Sequence, residues 1–124
     1  MRADAFRAAA EQMDLDATMA TMSASVVLHS PVVPAPFQGR DAVRKVFAVL
    51  YELFEELEFV ETYTSDEGGE ILEFRWRIGH HEAEGVDVLH FDDAGLIDDY
   101  RVMVRPLPAL QAMSEKVFGR VQPS

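Results

Sequence analysis

The chain has 124 residues, of which 48% are hydrophobic, and this size and composition predict a single domain, residues 1–124, with a substantial core. Its 22 acidic and 11 basic residues give a net charge of −11, which argues against binding to nucleic acid or to an anionic membrane surface. The absence of cysteine excludes disulfides, thiol catalysis and thiolate metal sites.

Helical patterns dominate the first half of the chain. Residues 3–13 carry an apolar stripe at helical spacing, and Asp14 suits the N-cap of a second short helix. Residues 25–30 are apolar and β-branched, which indicates a strand, and prolines within residues 31–36 end it. Apolar residues over 39–54 then predict the longest helix, with one face available to cover a sheet.

The second half of the chain alternates between apolar and polar residues, as strands do. We predict strands over residues 57–64, 70–78, 83–91 and 96–105, separated by turns rich in Gly and Asp. Apolar positions after residue 105 predict a short C-terminal helix. Helices followed by an antiparallel meander give an α+β fold, and a bent sheet against the longest helix would enclose an apolar cavity.

One acidic residue interrupts the apolar face of a predicted strand. Asp87 lies on the same strand face as Leu89, and a carboxyl group in a core needs a partner, a cavity or a proton. The alternative is a structural ion pair with an arginine of the sheet, namely Arg75, Arg77 or Arg101. Because strand alternation points these arginines outward, we expect Asp87 to line a pocket with a raised pKa and to act there as an acid or donor.

Two other polar residues are candidates for proton transfer beside Asp87. His29 lies on the first strand and could act as a base or an acid, although alternation places it opposite Leu28 and Ser30. A small error in register would therefore exchange His29 with Ser30 as the pocket residue. Tyr100 shares a strand face with Val102, and its hydroxyl could either donate to a ligand or be the polar tip of a core residue.

Apolar side chains supply the rest of the predicted pocket and its core. The candidates for contact with a ligand, besides Ser30, are Phe6, Phe47, Phe54, Phe74, Trp76, Leu89 and Val102. Adjacent residues His80, His81 and Glu82 invite a metal interpretation, but neighbours on a hairpin point apart and other ligands at a recognisable spacing are missing. We expect no metal and no cofactor.

The order of these elements resembles the nuclear transport factor 2-like superfamily, and within it the SnoaL-like, polyketide cyclase-like branch. The segments that carry the resemblance are Met13-Asp14-Leu15-Asp16, residues 26–31, residues 37–44 and residues 84–97. The resemblance implies a cone-shaped barrel in which a strongly bent, mostly antiparallel sheet wraps around a long helix, with N-terminal helices and a short C-terminal helix. It also implies a homodimer through the outer face of the sheet.

Ketosteroid isomerase is a useful comparison within that superfamily. A gap-free placement puts its general base at Ser30, its tyrosine donor at Phe6 and its protonated acid at Asp87, so only one of three positions keeps its chemistry. Limonene epoxide hydrolase, similar in fold, needs an arginine two residues before such an acid, where this chain has Gly85. The SnoaL-like cyclases are the better match, because they use an acidic residue on an inner strand face, often with a nearby histidine.

The candidate residues and the resemblance together predict two alternative functions. The first is a cofactor-independent isomerase, cyclase or lyase (dehydratase-type) that uses Asp87 for acid–base chemistry on a small apolar carbonyl compound, with Tyr100 or His29 polarising or relaying. The alternative is a non-catalytic ligand-binding or accessory dimerisation module of the same fold. Because the first residues lack the apolar segment of a signal peptide, we expect a cytoplasmic location.

Overall fold

The computed structural model describes residues 1–123, which form an α+β fold with four helices and six strands. The helices are α1 (Asp4–Glu11), α2 (Leu15–Ala20), α3 (Arg40–Leu53) and α4 (Leu107–Lys116). The strands are β1 (Met22–His29), β2 (Phe37–Gln38), β3 (Phe54–Thr64), β4 (Glu70–Ile78), β5 (His81–Phe91) and β6 (Ile97–Arg105). Within residues 1–123, no helix is both long and apolar enough to cross a bilayer.

The strands form one sheet in the order β2-β1-β6-β5-β4-β3. All neighbours are antiparallel except β1 and β6, which run parallel; the helix α3 and four strands separate them in the chain, which leaves room for a crossover. The sheet is open between β2 and β3. The predicted α+β class and mostly antiparallel sheet are confirmed. The predicted closure into a barrel is not seen, because β2 and β3 do not pair, and the cone shape stays a prediction.

The helices begin where the local sequence favours it. The Asp14 carboxylate accepts a hydrogen bond from the Ala17 amide at 3.1 Å and caps α2, as predicted. Gly39 precedes α3 with φ at 91°, a conformation that L side chains rarely adopt. Helix α3 then buries Val43 and Phe47 on the face that covers β1 and β2.

The structure differs from the predicted elements chiefly at β2 and at the start of β3, and β1 and β5 also begin two or three residues earlier than predicted. Strand β2 was not predicted, because two residues are too few to show the alternation that identifies a strand. Helix α3 ends at Leu53 and the chain enters β3 directly, so Phe54 belongs to a strand and not to the end of the helix. A bulge follows, with Glu56 at φ 57° and a shift in register between Glu55 and Glu58. Because the bulge interrupts the alternation of side chains, the first residues of β3 were not predicted as a strand.

Buried polar contacts hold α1 against the sheet. The carboxylate of Glu70, only 4% exposed, accepts hydrogen bonds from the amides of Arg2 and Ala3 at 2.9 and 3.2 Å. These amides belong to the free N-terminal end of α1, which has no side-chain cap of its own. Glu11, near the other end, accepts from the amide of Phe59 on β3 at 3.0 Å. Both ends of α1 are therefore attached to strands that form the cavity.

Candidate functional site

A cavity of about 60 Å³ lies between the inner face of the sheet and α3, with α1 and α4 contributing to its walls. These predicted residues line it: Phe6, Ser30, Phe47, Phe54, Phe74, Trp76, Asp87, Tyr100 and Val102. Met113 and Phe118 also line it, so the C-terminal helix and the residues after it cover part of the cavity.

Asp87 brings the carboxyl group to this apolar cavity. It lies in the middle of β5, opposite Leu72 of β4 and Val102 of β6, and is 4% exposed. Burial raises the pKa of Asp87 from its ordinary value of 3.8 to about 7. The arginines considered as ion-pair partners point elsewhere: Arg77 pairs with Glu55 at 2.9 Å on the outer face, and Arg75 and Arg101 are exposed.

Tyr100 is the polar neighbour of Asp87. It lies on β6 opposite Leu89, which makes it a diagonal neighbour of Asp87 on the same face of the sheet. Its hydroxyl interacts with the carboxyl group and favours the ionised form, so it partly offsets the effect of burial on the pKa of Asp87. The ring of Tyr100 packs edge-on against Phe6 and Phe47, with centroids 5.5 and 5.7 Å apart, and these contacts fix the direction of the hydroxyl.

Tyr51 is a third polar group at the cavity, and it was not among the predicted site residues. It lies near the end of α3, four residues after Phe47, and its ring packs edge-on against that residue at 5.6 Å. Its hydroxyl forms a 2.8 Å hydrogen bond with Thr18 of α2. Burial raises the pKa of Tyr51, and the charge of Asp87 raises it further. The helical spacing from Phe47 was the available signal, because it places both rings on the covered face.

Comparison with known proteins now adds to this geometry. The family model of the SnoaL-like domain matches residues 3–100. The chain belongs to the SnoaL-like domain family. The predicted membership of the nuclear transport factor 2-like superfamily is thereby confirmed, and isomerase and cyclase-like structures of the same fold agree with it. A search of curated proteins finds no significant match.

Several solved structures are similar to this SnoaL-like domain along most of its length. A steroid delta-isomerase from Pseudomonas aeruginosa is 31% identical with a TM-score of 0.85, over 96% of this chain and 90% of that one. An uncharacterized bacterial protein with a cystatin-like fold from Silicibacter pomeroyi DSS-3 is 24% identical with a TM-score of 0.89, over 96% and 84% of the two chains. SalBIII, an epoxide hydrolase/cyclase-like enzyme of pyran ring formation in the polyether salinomycin, is 20% identical with a TM-score of 0.70, over 85% and 88%.

Two predicted site residues of this SnoaL-like domain do not line the cavity. His29 follows Leu28, which points inward, so alternation along β1 turns His29 to the outer face, where its Nε2 lies 3.1 Å from an oxygen of Asp99. Ser30 takes the inward position, and a catalytic role for His29 within this cavity has no geometric support. Leu89 is fully buried, but it packs in the core and does not face the open space.

Gly85 explains why an epoxide-hydrolase arrangement does not fit this SnoaL-like domain. A Cβ atom at this position would lie 2.0 Å from the carbonyl oxygen of Met103 and 2.9 Å from the ring of Phe74. No side chain can be added there unless the backbone of β5 or β6 moves. An arginine two residues before Asp87 is therefore excluded by the approach of the strands as well as by the sequence.

The histidine pair of the β4–β5 turn lies away from the cavity. His80 is exposed, and its ring lies 4.2 Å from that of His81, the first residue of β5. Among residues 1–123, no group of three or more His, Cys, Asp or Glu side chains is arranged to hold a metal ion. The polar side chains Asp87, Tyr100 and Tyr51 line the cavity instead, together with Ser30, whose hydroxyl accepts a hydrogen bond from the Val33 amide at 2.9 Å.

Proposed function

We propose that this SnoaL-like domain is a cofactor-independent enzyme that transfers a proton within a small apolar carbonyl compound, with Asp87 as both base and acid. The observation that carries the proposal is a carboxyl group without an arginine partner in an apolar cavity, with its pKa raised to about 7. A group with such a pKa exists in both protonation states near neutral pH and can remove or return a proton.

The proposed reaction is an isomerisation in which atoms balance within the substrate. Ionised Asp87 removes a proton from the carbon next to the carbonyl group, and the negative charge moves to the carbonyl oxygen. Tyr100 donates a hydrogen bond to that oxygen, because burial and the charge of Asp87 hold the pKa of Tyr100 well above its ordinary value and keep it protonated. Protonated Asp87 then returns the proton to a different carbon, and the carbonyl group is restored.

The likeness to a steroid delta-isomerase supports the choice of a carbonyl substrate but not an identical mechanism. Phe6 has no hydroxyl to donate, and Ser30 is not a carboxylate, so two of the three groups of the ketosteroid isomerase pattern differ here. Asp87 is the only carboxyl group that lines the cavity within residues 1–123. Both proton transfers therefore fall to one carboxyl group.

The same observation supports a second candidate, a non-catalytic ligand-binding or accessory module. A cavity with one carboxyl group and mostly apolar walls can hold an apolar ligand without turnover, and a stabilising hydrogen bond from Asp87 or Tyr100 would then fix its orientation.

We propose a homodimer through the outer face of the sheet, whether the protein is an enzyme or a non-catalytic module. Val86 and Val88 are half-buried there beside Met103, which is 52% exposed, so this face presents apolar surface in the single chain. We expect a dimer by sedimentation equilibrium, and Val88→Glu should yield monomers. A monomeric wild-type protein at high concentration would contradict this part of the proposal.

Exchange of hydrogen for deuterium at the carbon next to a ketone tests catalysis directly. We expect the protein in D₂O to accelerate this exchange in small β,γ-unsaturated ketones, with a rate that rises with pH as Asp87 ionises near pH 7. Asp87→Asn should reduce the rate by about 10²- to 10⁴-fold. Asp93→Asn, which alters an exposed carboxyl group in the β5–β6 turn, is the matched control and should retain the wild-type rate. Binding without exchange would favour the non-catalytic module, and full activity in Asp87→Asn would refute the role of Asp87.

A further inference from the structure

Thr18 places a buried hydroxyl directly behind Tyr51. Thr18 lies in α2 with no exposed surface and does not line the cavity, whereas Tyr51 does. The Oγ1 atom of Thr18 lies 2.7 Å from the carbonyl oxygen of Asp14 and 2.8 Å from the hydroxyl oxygen of Tyr51. One hydroxyl group of Thr18 therefore serves two partners, and the second partner lies between it and the cavity.

The direction of these two hydrogen bonds follows from counting protons. The carbonyl of Asp14 can only accept, and Thr18 carries a single hydroxyl proton. When Thr18 donates that proton to Asp14, Tyr51 donates its own proton to Thr18. The oxygen of Tyr51 then has no proton to offer to the cavity and presents only lone pairs, so it can accept a hydrogen bond there.

The opposite arrangement forms fewer hydrogen bonds. If Thr18 donates to Tyr51, the proton of Tyr51 needs an acceptor in the cavity, and the Thr18–Asp14 bond is lost. The Asp14 carbonyl still accepts from the Thr18 amide at 2.9 Å, so the reversal removes one hydrogen bond and leaves no carbonyl unpaired. A ligand that accepts from Tyr51 must offset this loss, which corresponds to about 2- to 12-fold in affinity.

Two other polar groups of the cavity, Tyr100 and Asp87, have the complementary character. Tyr100 and protonated Asp87 carry protons that they can donate to a carbonyl oxygen of a ligand. Tyr51, Tyr100 and Asp87 all line the same cavity. The cavity thus offers donors to one part of a ligand and an acceptor to another.

We propose that Tyr51 accepts a hydrogen bond from a hydroxyl group of the ligand and that Thr18 holds it in this orientation, so that the site selects hydroxylated apolar carbonyl compounds. The inference rests on the proposed function, because that function assigns the carbonyl oxygen of the ligand to Tyr100 and the neighbouring carbon to Asp87. In this assignment Tyr51 determines specificity, and Thr18 is a positioning residue that does not contact the ligand.

Binding of three para-substituted acetophenones of similar shape tests the inference. The three compounds share the carbonyl group and differ only in the para substituent. The hydroxyl substituent can donate and accept a hydrogen bond, the methoxy substituent can only accept one, and the methyl substituent can do neither. Affinities are measured by NMR titration at about pH 6, where phenols are neutral. We expect the wild-type protein to bind the 4-hydroxy compound about 2- to 12-fold more tightly than the 4-methoxy compound.

Variants of the pair separate orientation from simple packing. Thr18→Val removes the acceptor of the Tyr51 proton, which then points into the cavity, and the preference should reverse in favour of the 4-methoxy compound. Thr18→Ser should keep the wild-type preference, and Tyr51→Phe should bring the ratio of the two affinities close to one. Circular dichroism confirms that each variant is folded, and Tyr51→Phe remains informative if Thr18→Val does not fold.

The outcomes distinguish this inference from the proposed function. A wild-type protein that binds all three compounds equally, or a Tyr51→Phe variant that keeps the preference, would overturn the role of Tyr51. A failure of deuterium exchange with the hydroxyl preference intact would overturn catalysis and leave the inference standing as the specificity of a binding site. Absence of binding by all three compounds would overturn the inference, and absence of deuterium exchange as well would overturn both.

Discussion

Replacement of Asp87 by Asn should change how the stability of the protein depends on pH. Burial raises the pKa of this carboxyl group from 3.8 to about 7, so between these pH values the folded protein holds a proton that the unfolded chain releases. Stability therefore falls as pH rises through this window and is lowest above pH 7. Asparagine stays neutral, so Asp87→Asn should lack this loss.

The magnitude follows from the two pKa values. Their difference, about 3, corresponds to about 4 kcal/mol of unfolding free energy at about 1.36 kcal/mol for each pKa unit. For a chain of 124 residues, the average unfolding entropy per residue converts this into about 15 °C in the melting temperature. Between about pH 4 and pH 8, the unfolding free energy of Asp87→Asn should therefore rise by about 4 kcal/mol relative to that of the wild-type protein.

Urea unfolding of the wild-type protein and the variant at a series of pH values measures the effect. The difference between the two proteins is the quantity of interest, because the other carboxyl groups of this acidic chain contribute equally to both. Asp93→Asn, on an exposed turn, is the matched control and should show no such change with pH. If the difference in unfolding free energy between Asp87→Asn and the wild-type protein stays constant from about pH 4 to pH 8, the raised pKa of Asp87 is refuted.

Three further substitutions test the surroundings of the site. Gly85→Ala should destabilise the fold by about 1–3 kcal/mol in urea unfolding, because its Cβ meets the carbonyl oxygen of Met103; unchanged stability would show that the strands can separate at no cost. Glu70→Ala leaves two amides at the start of α1 without their acceptor and should lower stability by about 1–3 kcal/mol, with hydrogen exchange increased first in α1; uniform protection would contradict this. Tyr100→Phe removes the interaction that favours ionised Asp87, so the pKa of Asp87, followed by carboxyl ¹³C NMR, should rise further; a lower value would contradict the assigned contact.

Pattern alone predicted the parts of the site that depend on local periodicity. Alternation placed Asp87 and Tyr100 on inward faces of two strands, and the structure brings them together as diagonal neighbours across β5 and β6. The same alternation placed His29 on the strand face opposite to Ser30. In the structure His29 lies outward beside Asp99, and Ser30 lines the cavity. These outcomes follow from the two-residue repeat of a strand, which any single sequence displays.

Contacts between distant segments were not predictable in this way. Thr18 and Tyr51 are 33 residues apart, and only the packing of α2 against α3 shows that their hydroxyl groups meet. Glu70 reaches the start of α1 across 67 residues. Alternation places it on the same buried face of β4 as Leu72, but the strand pattern does not show that the amides of α1 are its partners. Strand β2 has two residues and exists only because β1 offers it a pairing edge.

The order of charged and apolar residues by itself determined the helices, the long strands and the acidic residue on an inward face, because backbone geometry repeats over a few neighbouring residues. Only the tertiary structure decided that the Asp87 carboxyl lies without a cation in a cavity, with two tyrosine hydroxyls near it. The pKa of a carboxyl group and the direction of a hydroxyl depend on groups brought together through space, and sequence spacing does not encode those distances.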